Sequence, residues 1–164
     1  MPDFTGPGGQ VLKGDPNAPN EDFDLVQFTK TAVQVLASNV STQVLWTAVV
    51  GTFANRAAML AANAFIAPRN GWYQASASLI VSGSTVSTYA AAELRRYTAG
   101  GVLVSSRMVG LIVDANGFSS PKVDAFFQLL AGEQIRVHTT ADGAAGGSLD
   151  GVTFPNRMSF EVSR

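Results

Sequence analysis

Cysteine is absent from the 164 residues, which removes disulfide staples, thiolate metal sites and cysteine nucleophiles together. Histidine occurs once, as His138, so a zinc site lacks its usual donors. With no Ser-x-Gly elbow beside it, no catalytic triad is assembled either. Charge is scarce: 14% of residues are charged against 46% hydrophobic, and the formal net charge is −1. Such a chain has no basic field to gather phosphate backbones, so nucleic acid is not an expected partner. The low charge also implies that partners cover part of the surface. No apolar run approaches the roughly 18 residues that span a bilayer. The opening MPDFTGPGGQ has neither the basic nor the apolar part of a secretory leader. The expectation is no membrane partner and synthesis in the cytoplasm.

Glycine and proline are concentrated at the start. Gly6, Gly8, Gly9 and Gly14 with Pro2, Pro7, Pro16 and Pro19 deny both helix and ladder pairing. Residues 1–25 therefore read as an extended arm, and residues 26–164 as one folded domain. The arm carries Asp3, Asp15, Glu21, Asp22 and Asp24 against Lys13, a formal charge of −5 + 1 = −4, which leaves about +3 for the remainder. Composition alone also suits a disordered leader. The reading adopted is an anchoring arm that lies on another subunit or another protein, with Phe4, Val11, Leu12 and Phe23 as its apolar contacts.

Beyond the arm, short strands alternate with turn clusters. Strands are expected at Thr31–Ala37, Val44–Gly51, Gly71–Val81, Tyr89–Tyr97, Val102–Val113, Lys122–Leu130, Gln134–Thr140 and Met158–Ser163. The turn chemistry between them includes Ala67-Pro68-Arg69-Asn70-Gly71, Ser82-Gly83-Ser84, Ala99-Gly100-Gly101 and Asn116-Gly117. Tyr73, Ala75, Ala77, Leu79 and Val81 form one apolar face opposite Gln74, Ser76 and Ser78, a period of two that a helix would not keep. In Gln134 to Thr139, Ile135, Val137 and Thr139 face the core, and His138 shares the wet face with Gln134 and Arg136. His138 is thus expected to be exposed and idle. Ala57 to Ala64 also fits a short helix. Ala90 to Arg96 carries the same ambiguity, which the regular spacing decides in favour of a strand.

Phe65-Ile66-Ala67-Pro68-Arg69-Asn70-Gly71-Trp72-Tyr73 resembles the F-T-A-P-x-x-G-x-Y signature of the globular head of complement component 1q, which shares its jelly roll with tumour necrosis factor. Ala92 to Tyr97 with Gly100-Gly101 resembles the family's L-x-x-N-G strand and turn. Gln128 to Val137 is similar to L-x-L-x-A-G-D-x-V-x-V, and Met158 to Val162 to the closing strand. The likeness covers about residues 40–164. Glu133 stands where Asp is usual, and no Asn precedes Gly100. The resemblance implies an all-β, antiparallel jelly-roll β-sandwich of about ten strands. It also implies a homotrimer packed through an aromatic wall, for which Trp72, Tyr73, Tyr97, Phe126, Phe127 and Phe160 are the candidates. Filling the core of one subunit is the competing role for each. Calcium sites of some relatives do not transfer, because no compact carboxylate cluster matches them.

No cofactor, metal or catalytic residue is expected. The stretch Gly6 to Gly14 fits neither GxxxxGK[ST] nor GxGxxG. Asp114, Asp124, Glu133, Asp142 and Asp150 sit mostly at turns, where acids satisfy local backbone donors. A cysteine-free relative of this family with an extended arm is expected to be a bacteriophage virion part on the capsid surface. In that reading trimeric knobs decorate and cement the head, and the arms hold the major capsid protein. The alternative is a receptor-binding head of a tail fibre or spike, with the loop Asp142–Gly151 recognising a host glycan.

Overall fold

A computed structural model shows an all-β sandwich and describes residues 24–83, 89–112, 117–142, 147–152 and 158–164. The arm candidates Phe4, Val11, Leu12 and Phe23 lie outside these residues. The elements run β1 (Leu25–Thr29), β2 (Val33–Leu36), β3 (Thr42–Gln43), β4 (Ala48–Gly51), α1 (Arg56–Ala62), β5 (Ala64–Ile66), β6 (Gly71–Ser78) and β7 (Val81–Gly83). They continue with β8 (Tyr89–Tyr97), β9 (Leu103–Ile112), β10 (Phe118–Ser119), β11 (Lys122–Leu129), β12 (Gln134–Ala141), β13 (Gly147–Asp150) and β14 (Ser159–Ser163). One sheet has the order β11-β6-β14-β1-β4, a second β10-β7-β13-β2, and a third β3-β12-β8-β9 with β5 also on β12. Every ladder between these strands is antiparallel.

The inward faces of all three sheets share one core. From the first sheet come Val26, Phe28, Tyr73, Ala75, Ala77, Val123, Phe127, Leu129, Phe160 and Val162; Leu36, Val81, Ala92, Leu94, Ile135, Val137 and Leu149 meet them. Phe28 stacks on Phe160 with centroids 5.1 Å apart, and Trp46 on Phe160 at 6.0 Å. The predicted alternation of β6 is observed, since Tyr73, Ala75 and Ala77 are fully buried. The expected continuous strand Gly71–Val81 divides, however. Leu79 and Ile80 are both buried and leave the period of two where the chain passes from the first sheet to the second. The alanine stretch is the helix α1, with Met59 pointing into the core. It ends at Asn63 in the left-handed region (φ 50°), whose side-chain oxygen accepts from the Trp46 amide at 2.6 Å.

Further expectations are overturned: Ser82 and Gly83, expected in a turn, belong to β7. Gly147–Asp150, expected inside a long loop, pairs as a strand with both β2 and β7. His138, expected to be exposed and idle, is only 8% exposed because the ring of Tyr97 lies over it at a centroid distance of 6.3 Å.

Candidate functional site: an exposed aromatic face beside an overhanging strand

Three of the four segments that carry the family resemblance meet at one end of the sandwich. Ala67 donates its amide to Glu133 at 2.9 Å, and Gly132 donates to Ala67 at 2.8 Å. The Tyr73 hydroxyl donates to the Arg69 carbonyl at 2.8 Å, and the Ala131 amide to Asn70 at 2.8 Å. Glu133 accepts from the Leu130 amide at 2.8 Å and from the Arg96 guanidinium at 2.8 and 3.0 Å. Glu133 is thus a turn brace, the role expected of an acid beside free backbone donors. These bonds fix the start of β6 and the end of β11.

That fixing decides which aromatics reach the surface. Of the six wall candidates, Tyr73, Phe127 and Phe160 are buried within the subunit, and Tyr97 is covered by its neighbours. Trp72 and Phe126 are 61% and 68% exposed. The inward or outward choice follows from the pleat: Trp72 lies opposite Gln128 and Phe126 opposite Gln74, while Tyr73 and Phe127 oppose each other on the inner side. Trp72 and Phe126 are therefore diagonal neighbours across β6 and β11. Both line two adjoining depressions, of about 360 and 320 Å³. The first also holds Arg96, Ser105, Ser106, Arg107 and Gln128; the second holds Gln74, Ser163 and Arg164.

The wall of the first depression is β9. Every residue from Gly101 to Val109 is exposed, including Val102, Leu103, Val104, Met108 and Val109. A strand of a sandwich normally buries one of its two faces. Here Ser105, Arg107 and Val109, which pair with Arg96, Leu94 and Ala92, stay exposed although β11 lies across the depression from them. Sequence pattern misses this, because alternation shows which residues share a face but not whether anything lies opposite. Its one signal is the run Val102-Leu103-Val104, apolar on both faces.

On the other face of β8 and β12 lies a polar network. The Arg95 guanidinium pairs with Glu93 at 2.6 Å and donates to Ser41 at 2.7 Å. Burial pushes the Glu93 carboxyl up, but hydrogen bonds from Arg95 and Ser106 outweigh it and hold the group below the usual carboxylate range. His138 sits between Glu93 and Gln43 across its strand, with Nε2 3.2 Å from the Tyr97 hydroxyl and Nδ1 buried without a partner. Burial, and then the Arg95 charge, lower its pKa to about 4. This is a neutral structural imidazole, not a base aimed at a substrate pocket. Among the described residues no group of three or more His, Asp or Glu side chains is placed to hold a metal ion. No helix among them is long and apolar enough to cross a membrane.

The strand order and the shared core define an antiparallel jelly roll of the tumour necrosis factor type. No family model matches the sequence, and no curated protein matches it in sequence. Solved structures do match in fold. Murine APRIL superposes with a TM-score of 0.57 at 13% identity, covering 87% of this chain and 98% of its own. Eiger TNF from S. frugiperda superposes with a TM-score of 0.54, also at 13% identity, covering 87% of this chain and 92% of its own.

Proposed function

We propose that the chain is a non-enzymatic structural part of a bacteriophage virion, a homotrimeric decoration or cement protein. Its trimer sits on the capsid surface, and the N-terminal arm, through Phe4, Val11, Leu12 and Phe23, holds the major capsid protein. The observation that carries the assembly is β9, an edge strand with apolar side chains exposed on both faces and with Trp72 and Phe126 at its foot. An edge of this kind invites association unless another copy covers it. The low charge fraction agrees with a surface that is largely covered. Three arms per trimer raise the effective concentration at the capsid, so modest affinity per arm suffices.

Light scattering tests the assembly: the expected mass is three times 17.1 kDa, and a monomer at micromolar concentration removes the proposal. Labelling of intact virions tests the location. Uniform signal over the head supports cement, whereas signal confined to the tail turns the reading to a receptor-binding head that recognises host glycans.

A further inference from the structure

The arm leaves the folded body beside the aromatic face. Asp24 is held there twice, by an ion pair with Arg69 at 3.2 Å and by the Arg164 amide, which donates to its carbonyl at 3.1 Å. Arg164 in turn lines the depression with Trp72 and Phe126. Arg107 stands at the far side of the adjoining depression. Among the described residues neither Arg107 nor Arg164 has an ion-pair partner. Arg96 is spent on Glu133; of the two acids opposite Ser76, Glu161 accepts from the Gln27 amide at 2.8 Å, and Asp124 is exposed two residues from Phe126, away from both arginines in the depressions. The face is therefore apolar in the middle, with an unpaired guanidinium at each side.

The chain just before Asp24 has the opposite character. Asp15-Pro16-Asn17-Ala18-Pro19-Asn20-Glu21-Asp22-Phe23 carries three carboxylates, no cation and one aromatic ring. We propose that this segment straps across the Trp72 and Phe126 face of its own subunit, with its carboxylates set against Arg164 and Arg107 and the Phe23 ring against the aromatic pair. Reach permits it. From β1 to β11 the path crosses three strand spacings of about 4.8 Å, roughly 14 Å in all, which four or five extended residues cover. The nine residues reach beyond β11 to β9, and Pro16 and Pro19 favour the extended form. Phe23 then leaves the set of capsid contacts proposed above, Phe4, Val11 and Leu12 within residues 1–14 stay available for a capsid partner, and the strap becomes part of the surface that the next copy meets.

Trp72 reports the test, because the other tryptophan, Trp46, is buried. Acrylamide quenching is measured on the full chain, on a chain lacking residues 1–23, and on the shortened chain with a synthetic peptide of residues 1–23 added. The Trp72-dependent quenching constant, with Trp72→Phe as reference, is expected to rise at least twofold on deletion and to return with the peptide. Arg107→Glu with Arg164→Glu, or Asp15→Asn with Glu21→Gln and Asp22→Asn, should raise it similarly in the full chain. Salt at 0.5 M should do so in part. Equal quenching with and without the arm overturns the strap. So does a rise on deletion that neither charge variant reproduces, and so does shielding that fades on dilution to monomers, which assigns Trp72 to contact between copies. Mass measured on the same samples separates the strap from the trimer. Trimers whose quenching ignores the arm sink the strap alone, and monomers whose Trp72 is shielded by the arm sink the trimer alone.

Discussion

Two buried polar side chains set measurable energies at the scale of single residues. His138 has a pKa of about 4 in the folded state, against about 6.5 when unfolded. The folded pKa is the lower one, so between these values the unfolded chain binds more protons and stability falls as pH falls. Above about pH 6.5 the contribution is fully present; below about pH 4 it is gone. Urea unfolding between pH 7 and 4 should show this loss, with a slope of at most about 1.4 kcal/mol per pH unit, and His138→Gln should flatten the curve. Lys30 is a different case. It is 2% exposed, its ammonium donates to the Leu45 carbonyl at 2.7 Å, and burial lowers its pKa. Leu45 is itself exposed, and the bond to its carbonyl is only part-buried. An unpaired buried cation is costly, and methionine keeps the packed stem. Lys30→Met is therefore expected to leave the melting temperature unchanged or to raise it.

Elements depend on bonds that cross between segments far apart in sequence. Glu133 ties the β11–β12 turn to β8 through Arg96 and is 6% exposed, so removing its carboxylate strands a largely covered guanidinium and the Leu130 amide. Glu133→Ala should cost about 2–3 kcal/mol in thermal or urea unfolding. Glu133→Asp, the residue usual in the resembled pattern, should recover part of it. Gly51 is similarly constrained. Its φ is +141°, and a Cβ there would sit 2.1 Å from the Leu25 carbonyl oxygen in the neighbouring strand. Neither β1 nor β4 can give way without losing ladder bonds, so Gly51→Ala should cost more than the about 1 kcal/mol of an ordinary glycine replacement.

The elements that sequence pattern located well are the long strands bounded by clear turn chemistry, three of which, β8, β11 and β12, also bury one face. β8 runs Tyr89–Tyr97 as expected, and β9, β11 and β12 fall within a residue of their expected ends. β1 escaped because Leu25–Thr29 directly follows the acidic arm, and β13 because Gly147 and Ser148 carry no apolar signal. Their strand identity comes from partners supplied by distant segments, Ser159–Ser163 and Val33–Leu36. The aromatic face was half legible. The residue types pointed to six rings, but inward or outward direction depends on one-residue parity fixed by the turn at Arg69 to Gly71. That parity puts Trp72 out and Tyr73 in.

At the scale of the whole molecule, the fold leaves one side of the sandwich unfinished. β9 and β11 end their respective sheets there, and although β11 lies across the depression from β9, every residue from Gly101 to Val109 is exposed. An open sandwich side that exposes valine, leucine, methionine and tryptophan would aggregate without limit if its contacts did not close. A three-fold closed ring uses every such edge once and leaves none exposed. A charge placed on β9 must then be buried in each of three equivalent contacts, while the monomer fold, which keeps these positions in solvent, should tolerate it. Val104→Lys with Met108→Lys should convert a species of three times 17.1 kDa to one of 17.1 kDa by light scattering, with the β-sheet circular dichroism retained. If the double variant keeps the full mass, the Val104 and Met108 face of β9 is not the contact, and the assembly must close through another surface.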